Sequence, residues 1–231
     1  MRRRAIPRAK STKSGSGTNS SSLSLAAYEL IRAQIQDGRV GPGDRVMEDE
    51  IARQLNASRT PVRDAMRRLE AEGFLVHESH RGMVIPRLDH QMIMELYEMW
   101  IVLEAEAARL VARHASDAEV EMLDELVKAS RVEVKTSEDM ANHNRRFHKA
   151  LYNATHNRYL LKSVGVLMDS LNILSHTTFT IDDRLTRAQD EHQAIVDAIR
   201  TRDVDAAAAA SRAHTEASFR ARLKLLARME S

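Results

Sequence analysis

The chain has 231 residues with 35 Lys or Arg, 33 Asp or Glu and no Cys, long enough for one large domain or two modest ones with cores of their own. The lack of cysteine excludes disulfides, thiolate metal sites and cysteine nucleophiles, and no apolar run reaches the roughly 18 to 20 residues that cross a bilayer, so a soluble, cytoplasmic protein is expected. The net charge of +2 hides an uneven spread: residues 1–22 hold six Lys or Arg and no acid, residues 23–88 ten of each sign, and residues 89–231 hold 19 basic against 23 acidic.

The opening MRRRAIPRAKSTKSGSGTNSSS is too poor in large apolar residues to bury anything and reads as a disordered, phosphate-seeking arm. It lacks the apolar stretch of a secretory signal, and its Arg and Ser content resembles a transit peptide without a clear amphipathic face. From Leu23 the apolar positions Leu23, Ala27, Leu30, Ile31 and Ile35 follow helical spacing, with Ser22 as N-cap and Asp37-Gly38 as the stop. After the breaker Gly41-Pro42-Gly43-Asp44, a short helix is predicted over Glu48 to Leu55, then a turn at Asn56-Ala57. A third helix starts at Ser58 or Thr60, admits Pro61 in its first turn and ends at Gly73. Phe74 to Glu78, the turn Ser79 to Gly82 and Met83 to Ile85 read as a hairpin. Three helices and a hairpin make a winged helix-turn-helix, predicted over 23–88.

Beyond Pro86 the strand signals vanish. Helices are predicted from Gln91 to His114, from a Ser116/Glu119 capping box, from Thr136-Ser137 to Ala154, from Arg158 to about Ser175, from Thr180 or Asp182 to about Thr201, and from an Asp203 cap to Met229. Residues 89–231 are therefore expected to form an all-α bundle.

In the third helix Arg59, Arg63 and Arg67 are four apart and share one face, while Val62, Ala65, Met66 and Leu69 share the other. An isolated helix with that pattern would be read as a solvated charged face. The short helix and turn before it and the wing after it favour a recognition helix, whose N-terminal residues meet bases while His80, Arg81 and Gly82 of the wing reach the backbone or minor groove. Arginine suits the task because its planar fork can grip guanine O6 and N7, or a phosphate.

The stretch RVGPGDRVMEDEIARQLNASRTPVRDAMRRLEAEGFLVHESHRGMVI, Arg39 to Ile85, resembles the DNA-binding domain of the GntR superfamily of bacterial transcription regulators. The resemblance implies operator contacts from Ser58, Arg59, Thr60 and Arg63, with Gly82 at the wing tip. Arg67 serves either bases or phosphates alone.

In the helical part Asn144 and His148 lie one turn apart, and His192 and His214 flank the turn at Thr201-Arg202-Asp203 at nearly equal distances. At about 1.5 Å rise per residue the two histidines can meet if their helices pack antiparallel. Three imidazoles and a carbonyl oxygen suit zinc or nickel and leave a position open. Read singly, each histidine is an ordinary helix residue.

NRRFHKALYNATHNRYL from Asn144 and EHQAIVDAIRTRDVDAAAAASRAH from Glu191 resemble the FCD ligand-binding domain of the FadR-type branch. Position by position this implies a divalent metal on Asn144, His148, His192 and His214. Asn144 stands where Asp is frequent, which removes a negative charge, and Trp100 stands where relatives often carry an effector-facing Arg. Trp100 offers an apolar plate and one N–H donor, and Arg184 is the candidate for the missing anion contact. His143 and His176 are read as structural or exposed, not as ligands.

The expected function is a ligand-responsive repressor, a homodimer that binds a palindromic operator and is modulated by a small metabolite, an organic acid, in the metal-containing domain. One rival is a metal-dependent helical enzyme with Glu191 as general base, although Glu191 points about 100° away from its neighbour His192. Another is a DNA-binding protein with a purely structural metal and no effector.

Overall fold

The apolar face of the first helix is completed by tertiary partners. In the computed structural model, which describes residues 16–174, 177–181 and 183–229, Ala27, Ile31, Val62 and Leu69 are all at 0% exposure. They bring α1 (Ser16–Gln36) onto α3 (Arg59–Ala71), with α2 (Glu48–Gln54) packed against both. Burying side chains such as Ile31 and Leu69 contributes about 1.5–3 kcal/mol each. The wing follows as β1 (Val76–Glu78) and β2 (Gly82–Val84), antiparallel with Val76 opposite Val84. Arg45 adds a bridge on the outer side of Val84, and the Val46 amide donates to the Met83 carbonyl at 2.9 Å.

Gly43 is obligatory here. Its φ is +87°, and a Cβ at that position would come within 2.6 Å of the Arg87 guanidinium. These elements belong to one compact unit, Met1–Arg87, and the rest to a second, Leu88–Ser231.

The second unit contains α4 (His90–His114), α5 (Asp117–Glu133), α6 (Ser137–Asn153), α7 (Arg158–Ile173), α8 (Arg184–Arg200) and α9 (Val204–Met229). Ala108, Val111, Leu123, Val127, Phe147, Leu151, Ile195, Ile199 and Ala207 form its central cluster. Small buried residues on α9, Ala207, Ala208 and Ser211, let that helix lie close along α4. Ser116 and Glu119 form the expected capping box, Thr136 forms another with Asp139, and Asp203 accepts from the Ala206 amide at 2.9 Å. Among the described residues no helix is long and apolar enough to cross a membrane.

Two local expectations need correction. The tail was expected to be disordered through residue 22, but α1 is helical from Ser16 and Ser22 lies inside it rather than capping it. Extending an existing helix through Ser and Asn costs only tenths of a kcal/mol per residue, less than a new nucleus. Residues 1–15, His176 and Asp182 lie outside the described residues. The helix expected to start at Thr180 or Asp182 starts at Arg184, because Thr178–Thr180 forms a 3-10 turn and Asp183 takes a left-handed φ of 56°. α7 runs to Ile173, and Ser175, near which its end was expected, lies outside the described residues.

Candidate functional site

The exposed face of α3 carries Arg59, Arg63 and Arg67, with Ser58 and Thr60 exposed at its start, while Pro61, Val62, Ala65, Met66 and Leu69 are buried beneath. Ser58 occupies the N-cap position in extended conformation without a side-chain cap bond. The three arginines share a groove of about 370 Å³ with Glu48 and Asp49 of α2 and Gly82 of the wing. Arg59 pairs with Asp49 and Arg63 with Glu48. The Glu48 carboxyl lies below its ordinary range, chiefly because Arg63 hydrogen-bonds it. At the wing turn His80 is exposed with a φ of 72°. Arg81 folds back, donating to Glu78 at 2.8 Å and to the Gly43 carbonyl at 2.7 Å, which braces the wing.

In the helical unit α6, α8 and α9 bring His148, His192 and His214 together, with one ligand atom from each lying within 4.8 Å of the others. All three are buried. The turn between α8 and α9 sits at Thr201-Arg202, so the equal spacing noted above places His192 and His214 with ring centroids 4.5 Å apart. Nδ1 of His214 lies 2.8 Å from Glu191 Oε2. Nδ1 of His148 lies 3.0 Å from Glu104 Oε1, bent from the ideal hydrogen-bond line.

At His214 the Glu191 carboxylate facing Nδ1 holds the imidazole proton there, which leaves Nε2 as a lone pair. That nitrogen lies 3.2 Å from Nε2 of His148. The Nε2 of His192 and the Oδ1 of Asn144 are buried with no hydrogen-bond partner. Burial pushes His192 well below the usual imidazole range and lowers His214 as well, with neighbouring positive groups adding to both effects. Three buried ring nitrogens within 4.8 Å of one another, that of His192 without a partner, fit a divalent cation.

Trp100 and Arg184 sit beside this cluster, both buried. The Trp100 indole N–H donates to Glu104 Oε1 at 2.8 Å, so its single donor is already engaged. Arg184 donates to Glu191 Oε2 at 2.7 Å, and its Nε has no partner. His143 turns away to Glu133 at 3.1 Å.

Glu104 was missed in the sequence. Fully buried, it also accepts from the Tyr152 hydroxyl, and the Ser211 hydroxyl donates to its backbone carbonyl at 3.0 Å. Burial alone would raise its carboxyl, but His148 and Tyr152 outweigh burial and lower it. The overlooked signal was an acid in register with Tyr97, Trp100 and Val111 on the buried stripe of α4. Glu191, weighed as a general base, is instead held between Arg184 and His214.

Comparison with known proteins follows the same division. Residues 23–85 match the bacterial regulatory proteins of the gntR family, and residues 95–217 match the FCD domain. The chain is 32% identical over 180 residues to the Nta operon transcriptional regulator of Aminobacter aminovorans, covering 77% of this chain and 84% of that one. It is also 32% identical over 197 residues to a probable D-xylose utilization operon transcriptional repressor of Paenarthrobacter nicotinovorans, covering 82% and 84%. The solved structure of E. coli McbR/YncC shares the fold, with a TM-score of 0.73 at 20% identity over 90% of this chain and 99% of that one. The chain therefore belongs to the gntR family of bacterial regulatory proteins, with a C-terminal FCD domain, and is a transcription regulator rather than an enzyme.

Proposed function

We propose that residues 23–88 read an operator and that residues 89–231 sense a metabolite that changes that reading. In this reading Arg59 and Arg63 contact bases near the start of α3, and Ser58 and Thr60 fix its register. Arg67 serves phosphates, and His80, Arg81 and Gly82 bring the wing to the backbone or minor groove. Two copies forming a homodimer would place two such helices on a palindromic site and double the contacts. Relatives named as repressors support repression as the sign.

The helical unit would hold a divalent ion, zinc or nickel, on His148, His192, His214 and the Asn144 carbonyl oxygen. The observation that supports this is the convergence of one ring nitrogen from each of the buried His148, His192 and His214 within 4.8 Å of one another, with Nε2 of His192 left without a hydrogen-bond partner. Bound there, the ion supplies a Lewis-acid anchor for one oxygen of an organic acid. Glu104 and Glu191 fix the imidazole tautomers, and Arg184 stands next to the ligand end of the cluster. Altering operator affinity 100-fold requires a coupling of about 2.7 kcal/mol between the two sites.

The test is to measure metal content after incubation of the purified chain with zinc, then to screen organic acids by thermal shift on the zinc-loaded protein. Stoichiometric zinc in wild type, lost in His148→Ala, and an acid that shifts both melting and operator affinity are expected. If wild type holds no zinc, the metal assignment fails; operator affinity indifferent to every acid that binds would leave a structural metal.

A further inference from the structure

A guanidinium group has two hydrogen-bonding edges. The side edge combines Nε–H with one Nη hydrogen, and the end edge combines one hydrogen from each Nη. In Arg63 the side edge is closed on Glu48, with Nε 3.0 Å from Oε1 and Nη2 2.8 Å from Oε2. Arg59 repeats the arrangement on the neighbouring acid, with Nε 2.5 Å from Asp49 Oδ1 and Nη2 2.9 Å from Oδ2. Both acids come from the first turn of α2, so the packing of α2 across α3 sets both forks at once. The end edges remain open, and a pair of parallel donors is what guanine O6 and N7 accept. Arg67 shares the groove but forms no ion pair among the described residues.

Fold stability is a poor account of these contacts. The Arg59 and Arg63 side chains are 66% and 52% exposed, and ion pairs that wet contribute little. A free arginine side chain loses considerable rotamer freedom when it docks, and an acid that fixes it beforehand removes part of that cost from binding. The acid also repels phosphates, so it lowers non-specific affinity while sharpening the base contact.

We propose that Glu48 and Asp49 are positioning residues for sequence readout: each grips the side edge of its arginine and presents the end edge to a guanine, while the unbuttressed Arg67 serves the backbone. This rests on the reading of α3 as the recognition helix. It competes with the view that the acids only mask the arginines until DNA displaces them, which predicts the opposite sign.

The experiment uses the full chain and a duplex it selects from a randomised pool, titrated by fluorescence anisotropy beside a scrambled duplex. Glu48→Gln keeps the shape and removes the charge. Its affinity for the selected duplex should fall about tenfold, within the range one bidentate guanine contact is worth, with no loss on the scrambled one. Replacing the contacted guanine by 7-deazaguanine, which lacks the N7 acceptor, should cost wild type a similar factor, Glu48→Gln much less and Arg63→Ala nothing. Asp49→Asn should repeat the pattern at a second guanine through Arg59. Tighter or unchanged binding of the selected duplex by Glu48→Gln, or an equal loss on both duplexes, overturns the proposal while the recognition-helix reading stands. Wild-type affinity in Arg63→Ala overturns both.

Discussion

A carboxylate at 0% exposure, as Glu104 is, persists in an apolar interior only when polar partners replace its water. Glu104 receives the Trp100 indole N–H and the Tyr152 hydroxyl and faces Nδ1 of His148 at 3.0 Å. Tyr152 is pushed well above the ordinary phenol range by burial and by that carboxylate, so it stays a donor. Tyr152→Phe should therefore destabilise the chain by about 1–3 kcal/mol, the cost of leaving a buried acceptor short of a donor, read by urea unfolding. Glu104→Gln should weaken zinc binding about 10- to 100-fold, as loss of a tautomer-fixing partner does, measured by competition with a chromophoric chelator. Unchanged zinc affinity would show that His148 needs no such partner.

Between elements, Asp124 of α5 ties α8 to its own helix. It accepts from Gln193 at 3.0 Å and pairs with Lys128 at 2.6 Å and Arg200 at 3.0 Å. Those partners, Gln193 foremost, lower its carboxyl to about 2 from an ordinary 3.8. Because the folded value is the lower one, the stabilisation is complete above the unfolded value near 3.8 and disappears as pH falls through about 2. Discounted for its exposed partners, it is about 1–2 kcal/mol. Asp124→Asn should melt lower than wild type at pH 7, with the gap closing towards pH 2. A gap independent of pH would mean that packing, not charge, sets the difference.

Elements were legible in the sequence where the cause is local. The Ser116/Glu119 box, the Asp203 cap and the four-residue spacing of Arg59, Arg63 and Arg67 each act within one turn or one helix face. The cause was out of reach where it lies in packing. The start of α8 depends on the left-handed Asp183 and the 3-10 turn before it. The pairing of Glu48 and Asp49 with α3 depends on how α2 crosses it. His192 and His214 were legible as neighbours because the α8–α9 turn fixes their heights, whereas His148 on α6 joined them through the family resemblance. Glu104, on a different helix, could join them only once the inward face of α4 was known.

At the scale of the whole molecule the proposed function is linkage between a DNA-reading unit and a metabolite-sensing one. An ion bound only by the folded helical unit adds stability that rises with its concentration, about 2.7 kcal/mol at 100 times its dissociation constant. Zinc should therefore raise the melting temperature of wild type and leave His192→Ala unmoved. Equal shifts in both proteins would place the ion elsewhere.

The most direct test is the affinity of the full chain for its selected duplex and for a scrambled one, at one fixed salt concentration, in wild type and in Arg63→Ala. The expected result is a wild-type preference of about 10³ or more that largely collapses in the folded variant while scrambled-duplex binding stays within a few fold. An undiminished preference in Arg63→Ala would contradict the account, because the guanidinium row on α3 would then not be what reads the DNA.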